Sequence, residues 1–237
     1  MLYIIPTPIG NSQDITLRAI DLLKNLNTFL CENTNTTKKL FGIYNISTEG
    51  KKFYHYTSHQ NNQLDFFSEL INNNDIGVMS ENGTPWLSDP SKELIRICRE
   101  KNLKFEVLPG ANALIPSVVW SDFDTSEFLF LGFLPLKKSR QNKLSYICQS
   151  EYPIYIYESV HRVAKLILDL QKLQYKWHIC IHREITKKFE QKLSGDVDKI
   201  SKYISDGTLV LKGEFVIGFS NHMIKKVKKN KFENLDN

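Results

Sequence analysis

Apolar residues in this chain come in short runs set between helical patterns. The run "LYII" near the start has no polar break, the mark of a strand buried on both faces. Behind it Ile15, Ala19, Leu22, Leu23 and Leu26 recur at helical spacing. "TFLCE" predicts a second strand, and Thr34 to Phe41 a short helix. "KKFYHY" alternates as a strand does; Leu64, Phe67, Leu70 and Ile71 mark the next helix. "IGVMS" predicts another buried strand, with Leu94, Ile95 and Cys98 on the helix behind it, and "FEVLP" closes the series. Strand and helix in this rhythm argue for a mostly parallel α/β sheet.

Beyond Pro109-Gly110 the rhythm loosens. Ala111 to Trp120 predicts a helix and "FLFLGFL" a strand, followed by a basic, polar helix from Lys137. "IYIYE" is a strand, with a helix carried by Val160, Val163, Ile167 and Leu170; "HICIHRE" and "GEFVIGFS" are later strands. The polar stretch "WSDFDTSE" interrupts the series, so a boundary is placed near residues 110–125. The expected organisation is an N-terminal α/β domain at 1–112, a C-terminal α/β domain at 113–221 and a basic tail at 222–237. Two α/β domains of similar size would meet at a cleft, a favoured place for ligands.

Composition narrows the class. Of 237 residues, 41% are hydrophobic, enough for a packed core and against disorder. The formal charge of +5 tolerates a nucleic-acid partner without requiring one. Five lysines of the tail "KKVKKNK" carry much of it and read first as a solvated end. Cys31, Cys98, Cys148 and Cys180 form no CxxC pair and stand beside no His at metal spacing, so no metal is expected. Scattered cysteines of this kind read as reduced cytosolic thiols. "MLYII" opens as a strand rather than a leader, and "FLFLGFLPL" is shorter than the ~20 residues of a membrane span, so a cytoplasmic protein with no membrane partner is expected.

Candidate chemistry sits in the loops that leave the strands, where open α/β sheets bind ligands. "PTPIGN" follows the first strand; Asn11 or Ser12 is placed to cap a helix there, whose free N–H groups would face an anion. It matches neither a dinucleotide fingerprint nor a phosphate loop, and from composition alone an ordinary strand–helix turn is the favoured reading. "SENGTPWLSDP" follows the fourth strand; Gly83-Thr84-Pro85 offers main-chain groups to a small zwitterion, and Glu81 or Asp89 a charge to a cation. Asp89 with Pro90 reads more simply as a helix N-cap and first turn, and Trp86 as a packing residue. In "LPGANALIPSV", Ala111 and Ala113 leave room for a flat ring. "YESVHR" gathers Glu158, His161 and Arg162 on one turn, either as proton acceptors with a phosphate-holding Arg or as a Ser159 cap with a Glu158–Arg162 pair. "HREITKK" is a similar polar cluster.

Together "LYIIPTPIGNSQDITLRAIDLL", "SENGTPWLSDP", "LPGANAL", "FLGFLP", "YESVHR" and "REITK" resemble the RsmI-type branch of the tetrapyrrole methylase superfamily. They run in family order from Leu2 to about Ser220. The resemblance implies two α/β domains with a cofactor cleft between them, a homodimer, S-adenosylmethionine as methyl donor, and a cytidine ribose 2′-hydroxyl in small-subunit ribosomal RNA as acceptor. It assigns the cofactor to Pro8, Gly10, Asn11, Glu81, Asn82, Gly83, Thr84, Ala111, Ala113, Leu114 and Tyr157. Proton acceptance falls to His161 or Glu158, and RNA phosphates to Arg18, Lys38, Arg162 and Arg183. The chain departs from the family pattern at Glu81 for Asp, Asn82 for Ala, Trp86 and Ser91 for Gly, Asn33 for Asp, Asn35 for Arg, and Val160 for Pro. Asn112 also stands where a small residue or Pro is usual. An Arg that clamps phosphate is not matched by Asn, so a retargeted or weakened enzyme is one alternative. A small-molecule methylase acting on a tetrapyrrole, and a binding module without catalysis, are the others.

Overall fold

The computed structural model describes residues 1–56, 63–88, 92–137 and 139–221. Asp89, Pro90, Ser91 and the basic tail lie outside the described residues. Two compact units emerge: Met1–Ile115 with Glu184–Glu190, and Pro116–Arg183 with the chain from Gln191 on.

The first unit is built on β1 (Leu2–Ile5), α1 (Leu17–Asn25), β2 (Thr28–Cys31), α2 (Thr34–Ile43), β3 (Lys52–His55), α3 (Leu64–Asn73), β4 (Ile76–Met79), α4 (Glu93–Glu100) and β5 (Phe105–Val107). Its sheet runs β3-β2-β4-β1-β5 with every pairing parallel. β2 and β4 are buried at every position and β1 at all but Tyr3, as their unbroken apolar runs require. Side chains alternate between the two faces. Leu2, Ile4, Leu30 and Val78 pack with Phe67 and Ile71 of α3 and Leu94 and Cys98 of α4. Ile5, Phe29 and Met79 pack with Ala19 and Leu23 of α1 and Phe41 of α2. Ile5 pairs with Met79, and Met79 with Cys31, so β1, β2 and β4 end level and release their loops together.

The helix expected straight after "PTPIGN" begins later. Asn11 caps only a short 3-10 turn, Ser12–Asp14, and α1 starts at Leu17 with Thr16 as its cap: the Ala19 N–H donates to Thr16 Oγ1 at 3.1 Å. Ile15 and Thr16 separate the turn from α1, and the Asn11 side chain accepts the Gln13 N–H at 3.0 Å within the turn.

The second unit carries β6 (Leu129–Phe133), α6 (Ser139–Gln149), β7 (Ile154–Ser159), α7 (Val160–Lys172), β8 (His178–Arg183), β9 (Gln191–Gly195), α8 (Val197–Ser205) and β10 (Glu214–Ser220). Its order is β6-β7-β10-β8-β9, with β6–β7 parallel and the remaining pairs antiparallel. Leu144, Ile147, Val163, Leu166, Ile167, Leu170, Val197 and Ile200 bring α6, α7 and α8 into one core with Ile156, Ile181 and Ile217. In chain order between β5 and β6, the short helix α5 (Leu114–Trp120) contains the point where the two units divide. It begins three residues later than the sequence predicts, because Asn112 Oδ1 takes the Ile115 N–H at 2.9 Å and sets the helix start there. Among the described residues no helix is long and apolar enough to cross a membrane.

Candidate functional site

The loops after β1 and β4 are clasped by a two-residue antiparallel bridge. Thr7 N–H donates to Gly83 O at 2.9 Å and Gly83 N–H to Thr7 O at 3.0 Å. The bridge is reinforced within the loops: Ser80 Oγ donates to Gly83 O at 2.9 Å, and Thr7 Oγ1 to Ser80 O at 3.3 Å. Gly83 holds φ +78, and a Cβ there would stand 3.1 Å from Ile9 and 3.4 Å from the Ala111 carbonyl. Only glycine meets both demands without strain. Thr84 Oγ1 donates to Ala111 O at 3.0 Å, so the loop after β5 joins the same cluster.

Segment Glu184–Glu190 closes it from a distant part of the chain. Thr186 Oγ1 accepts the Asn11 N–H at 3.1 Å, and Lys187 Cγ lies where a Cβ on Gly10 would be, 2.5 Å away. Gly10 is therefore needed for close approach. Glu184 and Thr186 sit at φ +52 and +62. A β-branched residue there is a backbone outlier, of the kind that concentrates at ligand sites.

A cavity of about 330 Å³ opens over these loops. Pro8, Ile9 and Gly10 line one side, Ser80, Glu81 and Asn82 another, and Thr36, Lys39, Leu40 and Ile43 of α2 a third; Lys187 reaches the rim. Glu32 accepts the Glu81 N–H at 3.0 Å, and Glu81 in turn accepts from Thr36 Oγ1 at 3.1 Å. The extra methylene of Glu81 thus spans to α2. Asn33 caps that helix, taking Asn35 N–H at 3.0 Å and Thr36 N–H at 3.2 Å. Asn and Asp serve about equally as N-caps, so the helix start survives this departure while a charge is lost. Asn35 is exposed. Trp86 also occupies a position shaped for glycine, φ +64, yet is 5% exposed and packs edge-on to Tyr56.

The sequence-derived candidates therefore separate. Pro8, Gly10, Glu81 and Asn82 share the cavity; Asn11, Gly83, Thr84 and Ala111 build the loop cluster beside it. Ala113 is half-buried and Leu114 is buried. Tyr157 belongs to the second unit, half-buried on β7 between Phe130 and Phe133. Arg18 is exposed and paired with Glu106, and Lys38 lies over the Phe53 ring rather than toward the cavity.

Two of the candidates are engaged within the fold. Glu158 is 2% exposed, and its carboxylate accepts from Arg162 Nε at 2.5 Å, Ser159 N–H at 2.8 Å and Arg140 Nη1 at 3.3 Å. A carboxylate held between two guanidinium groups anchors the start of α7. Arg162 is committed further by a bond from Nη2 to Leu134 O at 2.8 Å. Arg183 is 5% exposed and donates to Lys212 O and to Gln191 Oε1 at 3.2 Å, which leaves it unsuited to an RNA phosphate. His161 is exposed on the first turn of α7. Thr36, Lys39, Leu40 and Ile43 were missed, although their i, i+3, i+4, i+7 spacing marks one helix face. Lys187 carries no local signal, since its neighbour Gly10 lies in a distant part of the sequence.

The profile described as Tetrapyrrole (Corrin/Porphyrin) Methylases matches residues 1–201. Curated relatives include "Ribosomal RNA small subunit methyltransferase I" of Helicobacter pylori (strain ATCC 700392 / 26695), 35% identical over 93% of this chain and 83% of that one. The protein of the same name from Rickettsia prowazekii (strain Madrid E) is 32% identical over 94% and 79%. Among solved structures, the methyltransferase CobJ aligns over 96% of both chains with TM-score 0.69 and 11% identity. Uroporphyrin-III C-methyl transferase from Thermus thermophilus, complexed with S-adenyl homocysteine, aligns over 92% and 96% with TM-score 0.64 and 13% identity. At such identities these two speak to the fold, whereas the curated relatives and the profile span most of the sequence. The chain belongs to the tetrapyrrole (corrin/porphyrin) methylase family, in the branch of the ribosomal RNA small subunit methyltransferases I.

Proposed function

We propose that this protein is an S-adenosylmethionine-dependent methyltransferase that modifies the ribose 2′-hydroxyl of a cytidine in small-subunit ribosomal RNA, as a homodimer in the cytoplasm. The observation that carries this reading is whole-chain similarity to proteins named for small-subunit ribosomal RNA methylation. A structural neighbour named for uroporphyrin methylation shares the fold at 13% identity and does not outweigh it.

The loop cluster suits a small cationic zwitterion. Glu81 is exposed at the cavity, with a carboxylate that matches a sulfonium or ammonium charge, and Asn82 adds amide groups beside it. Pro8 and Ile9 supply an apolar wall that excludes water. Main-chain groups around Gly83-Thr84 and Ala111 are fixed by the clasp, so little ordering is left for binding to cost. When bound, S-adenosylmethionine supplies a methyl group already activated by its sulfonium. The chain's task is then to hold the acceptor oxygen in line behind that methyl, a positioning effect worth ~7–11 kcal/mol in favourable cases. His161, exposed and unencumbered by Glu158's partners, is the proton acceptor in this reading, worth roughly 10²–10⁴-fold.

The test is methyl transfer from labelled S-adenosylmethionine to unmethylated small ribosomal subunits, beside a porphyrin precursor. Label in the RNA, lost in His161→Ala with cofactor binding intact, is the expected result. Label in the porphyrin with unlabelled subunits rejects the RNA reading. No calorimetric binding of S-adenosylmethionine to folded protein rejects any methyltransferase.

A further inference from the structure

The α2 wall of the cavity is not used by the cofactor reading. Its residues Thr36, Lys39, Leu40 and Ile43 form one helix face. Thr36 is tied to Glu81, but Lys39 is exposed and enters no ion pair among the described residues. Lys187, the other lysine on the lining, is paired with Glu184 at 3.0 Å. Lys38, its neighbour in sequence, is turned to the Phe53 ring. Ile43 is 57% exposed beside Lys39's turn, an apolar surface left to water at the cavity edge. An unpaired ammonium beside an aliphatic patch is what a nucleotide offers partners for: an anionic phosphate and a flat base. A tetrapyrrole bearing several carboxylates would call for more unpaired cations than this lining offers.

We propose that α2 is the acceptor wall: Lys39 holds the phosphate of the nucleotide being methylated, and Leu40 and Ile43 support its base. This rests on the RNA methylation reading. Lys39 is a positioning residue, because it fixes the nucleotide without touching the reacting atoms. Glu81, tied to the first turn of α2 by Thr36, keeps further phosphates out by charge, so one nucleotide enters.

The experiment compares the parent with Lys39→Ala, Lys39→Arg, Lys38→Ala and Ile43→Ala. Initial rates are measured on unmethylated small subunits across a salt series, together with calorimetric binding of S-adenosylhomocysteine. Lys39→Ala is expected to raise KM about tenfold with kcat little changed, and to lower the salt slope of log kcat/KM by about 0.7–1, the share of one phosphate. Lys39→Arg restores both, Ile43→Ala raises KM without altering the salt slope, and S-adenosylhomocysteine affinity is the same in all. An unchanged KM and salt slope in Lys39→Ala overturns the proposal. So does a larger effect of Lys38→Ala, or a loss of S-adenosylhomocysteine binding in Lys39→Ala, which would move that lysine to the cofactor. A parent protein that methylates no RNA fails the underlying reading instead, and is distinguished by its own inactivity.

Discussion

Replacing Trp86 with glycine sets two effects of known sign against each other. Trp86 holds φ +64, a conformation that costs an L-residue ~1–2 kcal/mol and glycine almost nothing. Relief of that strain stabilises the variant. Its side chain, however, is 5% exposed, packed in the core with Phe67, Leu94 and Val78 and edge-on to Tyr56 at 6.5 Å. Truncating a buried aromatic of this size costs ~3–5 kcal/mol. The balance is a net loss of about 2–3 kcal/mol, since packing exceeds strain. With a urea slope of ~1–3 kcal/mol per molar, the midpoint should fall by roughly 1 M. Far-UV circular dichroism is the suitable probe, because the variant loses a fluorophore. A midpoint equal to or above that of the parent would refute the reasoning: the indole would then contribute less than its backbone costs.

Other consequences follow from single contacts. Glu158→Gln should cost about 3 kcal/mol or more of stability, seen as a lowered urea midpoint, because two guanidinium groups lose their shared buried counter-charge; an unaltered midpoint with abolished methyl transfer would instead return Glu158 to the chemistry. Thr16→Ala removes the side-chain cap of α1 and should cost about 1 kcal/mol, read from the same melt. Burial pushes the Tyr155 hydroxyl from 10.0 up to about 12, and burial followed by the nearby Asp122 carboxylate pushes the Cys180 thiol from 9.0 up to about 12. Both groups bind protons more tightly when folded, so their contribution is complete below pH 9 and is lost as pH rises toward 12. The urea midpoint should therefore decline from pH 9 upward, and one held flat to pH 11 would contradict this.

Legibility in the sequence followed burial. β1, β2 and β4 announce themselves because strands covered on both faces must be apolar throughout. β9, "QKLSG", and α8 behind it went unpredicted: an edge strand is half-wet, so its pattern is polar and broken. Helix α6 was recognised only as a basic, polar stretch, since among its buried positions is Arg140, drawn in by Glu158. At the site, glycine positions were visible but their reasons were not. Gly10 is required by Lys187 and Gly83 by Ile9 and the Ala111 carbonyl, contacts that only the folded chain creates. The departures at Asn33 and Asn112 are visible in the sequence, but their part as helix-start caps is not, because it depends on the backbone N–H groups that the fold turns toward them. "REITK" was seen as a polar cluster; its docking onto the first unit depends on Asn11 and left no trace in local pattern.

The proposed reaction leaves a ribose methyl on small-subunit RNA. Mass spectrometry of nucleosides from ribosomal RNA, taken from cells with and without this gene, tests it directly. The account predicts one 2′-O-methylcytidine in small-subunit RNA that disappears with the gene and returns with the intact protein. An identical ribose methylation pattern in both strains would contradict it.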